Sequence, residues 1–215
     1  VIIVDSKVTL GSGSGTSSMT IADNGLVNAN STFILTEFGG NGTLNIGNGA
    51  GAGILNTASV DGGTGTAILN FNQTDSSYFF TNDGTSGGTA IAITGSTVVN
   101  QIGSGTTILT GANTYTGGTT VSGGTLQGTT TSLQGNILNN ANVTFDQTTT
   151  GTYAGIMSGA GSLSKSNTGT VILSGANTYS GGTTVSGGTL QGTTTSLQGA
   201  ITNNANVTFD QTTTG

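Results

Sequence analysis

The chain has 215 residues, a net charge of −6 at pH 7 and two basic residues, Lys7 and Lys165, and it contains no Pro, Cys, Trp or His. Without His or Cys it lacks the usual ligands of zinc, haem and iron–sulfur clusters, and the base of a His-activated nucleophile. Two lysines on an acidic chain cannot form the basic surface that nucleic acids require. We therefore expect no cofactor, no metal ion and no nucleic-acid partner. There is also no apolar run of about 18 residues that would span a membrane as a helix.

Short β-type runs follow one another along the chain, beginning with Val-Ile-Ile-Val at residues 1–4. Later runs occupy residues 42–46, 65–71, 107–110, 119–122, 125–127 and 142–146, with Gly or Asn between them. No window shows helical apolar periodicity, and the low charge and absence of Pro argue against disorder. Strands this short and this closely spaced favour an all-β parallel solenoid, in which each strand pairs with its counterpart one coil later.

A long duplication organises the second half of the chain. Residues 111–151 return at residues 175–215, at an offset of 64, with three changes. At roughly 20 residues per coil, 64 residues are close to three coils, and the chain makes about ten. We expect one continuous solenoid, with degenerate coils over 1–100 and repeat coils over 101–215. Apolar side chains would fill its interior, Thr and Ser would face water, Gly and Asn would turn the corners, and stacked Asn would form ladders.

The most specific pattern is GTYAGIMSGAGSLSKSNTGTVILSGANTYSGGTTVSGGTLQ at residues 151–191, and its second half recurs at 103–126. It closely resembles the passenger-associated repeat of bacterial type V autotransporters, SGxGxLxKxGxGxxxLxGxNxYxGGTxxxxGxL. The resemblance implies a right-handed parallel β-helix that is exported to the cell surface of a Gram-negative bacterium through a C-terminal β-barrel. We expect membrane attachment only through such a barrel, outside the present chain. Passengers of this type commonly serve as adhesins, autoaggregation factors in biofilms, or stalks.

Two groups of side chains are candidates for an adhesive surface. Strand alternation forces at least one ring of Tyr78, Phe79 and Phe80 outward, where it would anchor a partner. The alternative is a corner or a wider coil with both Phe rings inside. The second group is made of threonines in matching positions of the duplicated segment, whose hydroxyls would face solvent: Thr129, Thr131, Thr193 and Thr195.

Catalysis is not expected from the acidic residues. Glycoside cleavage needs two carboxyl groups roughly 5–9.5 Å apart. Asp146 and Asp210 occupy matching repeat positions and would lie three coils, or about 14 Å, apart. Asp61 and Asp83 could be neighbours on adjacent coils and share a cation, although solvated turn positions are the simpler interpretation.

The main hypothesis is a non-enzymatic adhesin or self-associating passenger. It would contact like passengers, or host surface and matrix molecules, through many weak polar contacts. At a net charge of −6, such pairing should improve as salt screens repulsion. The alternatives are a passive stalk that presents another domain, and part of a polysaccharide-acting β-helix enzyme whose acids lie elsewhere.

Overall fold

The computed structural model describes residues 2–3, 7–29 and 31–211, and this part of the chain forms 25 β-strands and no helix. The strand pairs are all parallel. Successive strands visit three faces in a fixed order, and within each sheet a strand pairs with the one a coil earlier on the same face. The predicted fold class, a parallel β-solenoid, is confirmed.

The three faces are named by their strands. Face 1 contains β3 (Thr16–Ile21), β6 (Asn41–Ala50), β9 (Thr66–Gln73), β12 (Val98–Gln101), β14 (Thr119–Val121), β16 (Ile137–Asn139) and β19 (Met157–Ser158). Face 2 contains β1 (Ile2–Ile3), β4 (Leu26–Asn28), β7 (Ile54–Asn56), β10 (Tyr78–Phe79), β13 (Thr106–Ile108), β15 (Thr125–Gly128), β17 (Asn142–Asp146), β20 (Ser162–Ser166), β22 (Thr183–Val185) and β24 (Ile201–Asn203). Face 3 contains β2 (Val8–Ser12), β5 (Thr32–Glu37), β8 (Ser59–Asp61), β11 (Ala92–Thr94), β18 (Gly151–Tyr153), β21 (Thr170–Leu173), β23 (Thr189–Gly192) and β25 (Asn206–Phe209).

Face 2 carries ten described strands, which agrees with the prediction of about ten coils. Of the predicted run at residues 1–4, only Ile2 and Ile3 belong to the described residues, and they form β1. The last four residues of the second repeat copy, 212–215, also lie outside the described part.

The core is a single column of apolar side chains inside the coils. Because the strand period is two residues, alternate side chains point inward. On face 1, Leu44 and Ile46 of one coil lie beneath Leu69 and Phe71 of the next, and all four are fully buried. A buried side chain of this size contributes about 1.5–3 kcal/mol, so each coil is stabilised mainly by stacking on its neighbours.

The duplicated unit does not contain a whole number of coils. Leu126 on face 2 stacks through Val143 and Leu163 to Thr183, three coils later along the chain. The copy of Leu126 is Leu190, which comes after Thr183 and lies on face 3. The predicted length of close to three coils is therefore slightly too low, because the coils of the repeat region are shorter than the assumed length. The unit spans three and a third coils, and its second copy is rotated by one face.

The first repeat copy leaves two levels of face 3 without a strand, and Asn113 joins them to the coil below. Its side-chain Oδ1 accepts a hydrogen bond from the backbone N–H of Ile93 at 2.8 Å, and its Nδ2 donates to the carbonyl of Ser132 at 2.7 Å. The ring of Tyr115 lies beside it in the interior, and its hydroxyl is 2.9 Å from Oγ1 of Thr119. The Asn side chain thus makes the contacts that a strand would make through its backbone.

The second copy repeats this arrangement on face 1. Asn177 accepts from the N–H of Met157 and donates to the carbonyl of Ser196, each at 2.7 Å. The Tyr179 hydroxyl is 2.7 Å from Oγ1 of Thr183. The second copy of the motif therefore leaves two levels of face 1 without a strand and bridges them with an Asn side chain. For this reason the face 1 sheet ends at β19.

One basic side chain lies inside the solenoid. Lys165 is fully buried, and its ammonium donates to the backbone carbonyls of Ser166, Asn167 and Gly187. Desolvation lowers the pKa of Lys165, and the nearby carboxylate of Asp146 opposes that shift. A single lysine therefore closes the corner between faces 2 and 3.

Candidate functional site

The aromatic candidates divide between the core and the surface. Tyr78 and Phe80 point inward and are 4% and 1% exposed, so the prediction that places them on an adhesive surface is corrected. The rings of Phe80 and Phe71 meet edge to face with centroids 5.0 Å apart, and the Tyr78 hydroxyl donates to the carbonyl of Gly53 at 3.1 Å. Alternation leaves Phe79 outward and half-buried on face 2.

The threonine candidates fall into two separate turns. Thr129 and Thr131 lie in the turn that crosses face 3, where their hydroxyls are 2.9 Å apart. Thr193 and Thr195 make the same contact, at 2.8 Å, in the turn that crosses face 1. Because the two copies are rotated relative to one another, these four residues do not form one surface.

The structure does bring Phe79 and Thr129 together across two coils. Phe79 is in register with Ile108, which is in register with Gln127, so the three form a column on the outside of face 2. Beside this column lies a cavity of about 270 Å³, which we call the Phe79 cavity. Its walls include an apolar part and a polar part, formed by Phe79, Ile108, Thr110, Gln127, Thr129 and Asp146.

Gln127 and Asp146 form the polar wall of the Phe79 cavity. Nε2 of Gln127 donates to Oδ2 of Asp146 at 2.9 Å across adjacent coils. Within the described part of the chain, no protein donor reaches the other carboxylate oxygen of Asp146. Sequence analysis missed this pair, although both residues face outward in the predicted strand alternation.

The second repeat copy contains the same polar pair without the aromatic ring. Gln191 donates to Asp210 at 2.9 Å on face 3. The residue one coil below Gln191 is Ile172, and the next one down is Thr152. Thr152 therefore holds the place that Phe79 has in the first copy. Ile172 is half-buried there, whereas Ile108 is 8% exposed.

Uncharged polar side chains stack in rows on the outer surface. On face 1, Asn100 donates to Asn70 at 2.9 Å and Asn70 donates to Asn45 at 2.8 Å, which confirms the predicted Asn ladder. On face 2, four hydroxyl residues lie in register on successive coils. We call them the hydroxyl row: Thr144, Ser164, Thr184 and Thr202. Thr184 and Thr202 are exposed, Ser164 is half-buried, and Thr144 is buried.

The acidic residues are dispersed. Asp61 accepts from the N–H of Gly63 at 2.8 Å and is in register with Thr94. Asp83 lies in a turn, where hydrogen bonds from the backbone and hydroxyl of Thr85 lower its pKa. This turn belongs to the long connection between β10 and β11, residues 80–91, which we call the β10–β11 insertion. Asp83 is therefore not in register with Asp61, which pairs with Thr94, and the suggested pair is not formed.

Asp146 and Asp210 are also not related as expected. Asp146 ends β17 on face 2, whereas Asp210 follows β25 on face 3, so they are not stacked three coils apart on one face. Among the residues that the structure describes, no group of three or more potential ligands could hold a metal ion.

The described residues include no helix with the length and apolarity needed to cross a bilayer.

The family model of the passenger-associated transport repeat matches residues 99–127 and 163–191. Each match covers five successive faces, and the second begins one face later than the first. No curated protein and no solved structure gives a significant match to the chain. The resemblance predicted for these two segments is confirmed, which is consistent with an autotransporter passenger domain.

Proposed function

We propose that the chain is part of a surface-displayed passenger that acts as an adhesin or autoaggregation factor, through contacts between the outer faces of neighbouring rods. The observation that carries the proposal is the hydroxyl row. Its members Ser164, Thr184 and Thr202 repeat at the strand spacing of about 4.8 Å, so two rods lying side by side make many equivalent contacts. Contacts that are individually weak then sum by multivalency.

The charge distribution supports side-by-side association. Between residues 101 and 211 the side chains that carry a formal charge at pH 7 are Asp146, Lys165 and Asp210, and Lys165 is buried. All of the other acidic and basic side chains lie in the first half of the sequence, where Lys7 forms an ion pair with Glu37. Two rods that meet through their repeat coils therefore experience little like-charge repulsion and lose little charge hydration.

The test uses beads coated with the purified chain at a fixed density, and aggregation is followed by turbidity. We expect the beads to aggregate, and the rate to stay constant or rise as NaCl increases from about 10 to 300 mM, because salt screens the net negative charge. Aggregation that disappears at raised salt would contradict the proposed contacts. Beads that stay dispersed at every salt concentration would instead support a passive spacer.

A charge-matched pair of variants tests the surface itself. Ser164→Asp with Thr184→Asp places two carboxylates in the hydroxyl row and should slow aggregation by about fivefold or more. Thr168→Asp with Thr178→Asp adds the same charge at exposed positions away from the row. Equal effects of the two double variants would show that net charge, and not the row, controls association.

The spacer alternative makes a different prediction for a shortened rod. Removing residues 111–174 joins Thr110 to Gly175, so the second repeat copy takes the place of the first and the fold is preserved. The rod loses three and a third coils, about 16 Å. An adhesive rod aggregates more slowly, in rough proportion to the lost surface, whereas a spacer shows no aggregation before or after the deletion.

A further inference from the structure

The Phe79 cavity is a concave site that the proposed self-association does not use. We propose that it binds one ring of a neutral saccharide, with Phe79 and Ile108 against the C–H face of the sugar and the Gln127–Asp146 pair at its hydroxyl groups. This inference goes beyond the proposed function, because it assigns a ligand class to a site next to the hydroxyl row.

The apolar wall fits the face of a pyranose. Phe79 is outward on β10 and half-buried, and it lies directly below Ile108, which is also outward but only 8% exposed. An aromatic face is electron-rich and attracts the slightly positive C–H groups of a sugar ring. Because β10 and β13 are paired in register, the two side chains adjoin, and Phe79 supplies most of the apolar surface that a ligand would contact.

The polar wall fits the edge of the same ring. The hydrogen bond from Gln127 to Asp146 holds two planar groups side by side, and it leaves one carboxylate oxygen of Asp146 without a protein donor among the described residues. Thr110 and Thr129 also line the cavity. Vicinal sugar hydroxyls donate to carboxylates and exchange hydrogen bonds with amides. A wholly apolar ligand would desolvate Asp146 without giving it a partner.

The charge of the cavity selects neutral sugars over acidic ones. Asp146 places a negative charge in the wall. The nearby basic residue, Lys165, has its ammonium inside the solenoid on three backbone carbonyls. A sugar carboxylate or sulfate would therefore meet repulsion without a compensating cation.

The second repeat copy is a natural control for this site. Gln191, Asp210 and Ile172 repeat the wall, but Thr152 stands in place of the aromatic ring. The proposal therefore predicts one saccharide site in the chain and not two.

Ligand-observed saturation-transfer NMR tests the proposal with four methyl glycosides: α-mannoside, β-glucoside, β-galactoside and N-acetyl-β-glucosaminide. We expect at least one to bind the full chain with a dissociation constant on the order of millimolar, as is usual for a small ligand in an open site. Methyl glucuronide should give no transfer. Phe79→Thr should weaken binding about tenfold or more, while Asp210→Asn should leave it unchanged. Bead aggregation should be unaffected by Phe79→Thr, which separates this proposal from the proposed function.

A gain-of-function variant makes the test independent of folding defects. In the Phe79→Thr background, Thr152→Phe supplies a ring one coil below Ile172 and should restore binding of the same glycoside. The proposal is overturned if none of the neutral glycosides binds, if glucuronide binds equally well, or if Phe79→Thr leaves the affinity unchanged. It is also overturned if Thr152→Phe fails to restore binding in a chain that retains its β-sheet circular dichroism.

Discussion

Replacing Asn177 by Ala tests whether the repeat motif holds neighbouring coils together through a side chain. The two hydrogen bonds of this amide, to the N–H of Met157 and the carbonyl of Ser196, are buried and 2.7 Å long. Truncation leaves one donor and one acceptor without partners, each costing about 1–3 kcal/mol. We therefore expect Asn177→Ala to lower the free energy of unfolding by roughly 2–5 kcal/mol, a large share of the 5–15 kcal/mol that is typical of folded proteins.

Two measurements check this expectation. Urea denaturation followed by circular dichroism gives the loss of stability, and hydrogen exchange reports on the amide of Met157 directly. That amide should exchange faster in Asn177→Ala, because its acceptor has been removed. Thr178→Ala is the control, because the side chain of Thr178 is exposed. The backbone N–H of Thr178 donates to the carbonyl of Met157, and this hydrogen bond does not involve the side chain. Asn113→Ala should cost about as much, although that residue lies on face 3.

The reasoning is refuted by either of two results. A loss of stability below about 1 kcal/mol for Asn177→Ala would mean that water or local repacking satisfies both groups. Unchanged exchange at Met157 would mean that its N–H has another acceptor in solution. A large difference between Asn113→Ala and Asn177→Ala would contradict the equivalence of the two rotated copies.

Three further outcomes follow from the interior. Lys165→Gln should cost about 1–2 kcal/mol, because Gln101, at the matching position 64 residues earlier, donates to corner carbonyls but leaves its buried Oε1 without a hydrogen bond among the described residues. Lys165→Ala should cost more, roughly 2–4 kcal/mol in urea denaturation. Gly182→Ala should cost about 1–3 kcal/mol, since φ is 86° at this corner, while the exposed Thr184→Ala should stay within about 0.5 kcal/mol. Burial raises the pKa of every Tyr in the chain, namely Tyr78, Tyr115, Tyr153 and Tyr179. The free energy of unfolding should therefore fall above about pH 10, because the unfolded state then loses phenol protons that the folded state retains. The lowered pKa of Lys165 has the opposite effect, because it makes stability rise with pH up to the ordinary Lys pKa of 10.5. Phenolate absorbance at 295 nm should rise together with the loss of circular dichroism. Titration of the tyrosines with intact circular dichroism would contradict this expectation.

The sequence predicts those features that depend on strand alternation and on the repeat motif. Leu163 and Val185 point inward as the period of two requires, and the corner glycines fall between strands. Lys165 lies inside, although a charged side chain is normally solvated. It occupies an inward position of β20, in the same alternation as Leu163, so alternation alone would have placed it in the core.

The Phe79 cavity was beyond sequence analysis for a different reason. Phe79 and Gln127 meet only because two coils of unequal length bring both residues into one column with Ile108. The longer of these coils contains the β10–β11 insertion, which includes Asp83. An assumption of equal coil lengths therefore gives the wrong register for residues on the two sides of this insertion. Coil length is set by corners and insertions, for which a single sequence has no periodic signal.

The rotation between the repeat copies separates what the motif does inside the rod from what it does outside. Inside the rod, the three faces are equivalent. Each face needs only alternate apolar side chains and an Asn side chain that bridges the levels without a strand. A unit of three and a third coils therefore packs equally well when it begins on the next face. Outside, the column that contains Leu138 on face 1 becomes the column that contains Thr202 on face 2. Leu138 is 44% exposed, and its replacement by Thr in the second copy leaves the hydroxyl row without an apolar member. A substitution of this kind changes the surface of one face and leaves the core unaltered, and so it allows duplicated coils to acquire different outer faces without loss of stability.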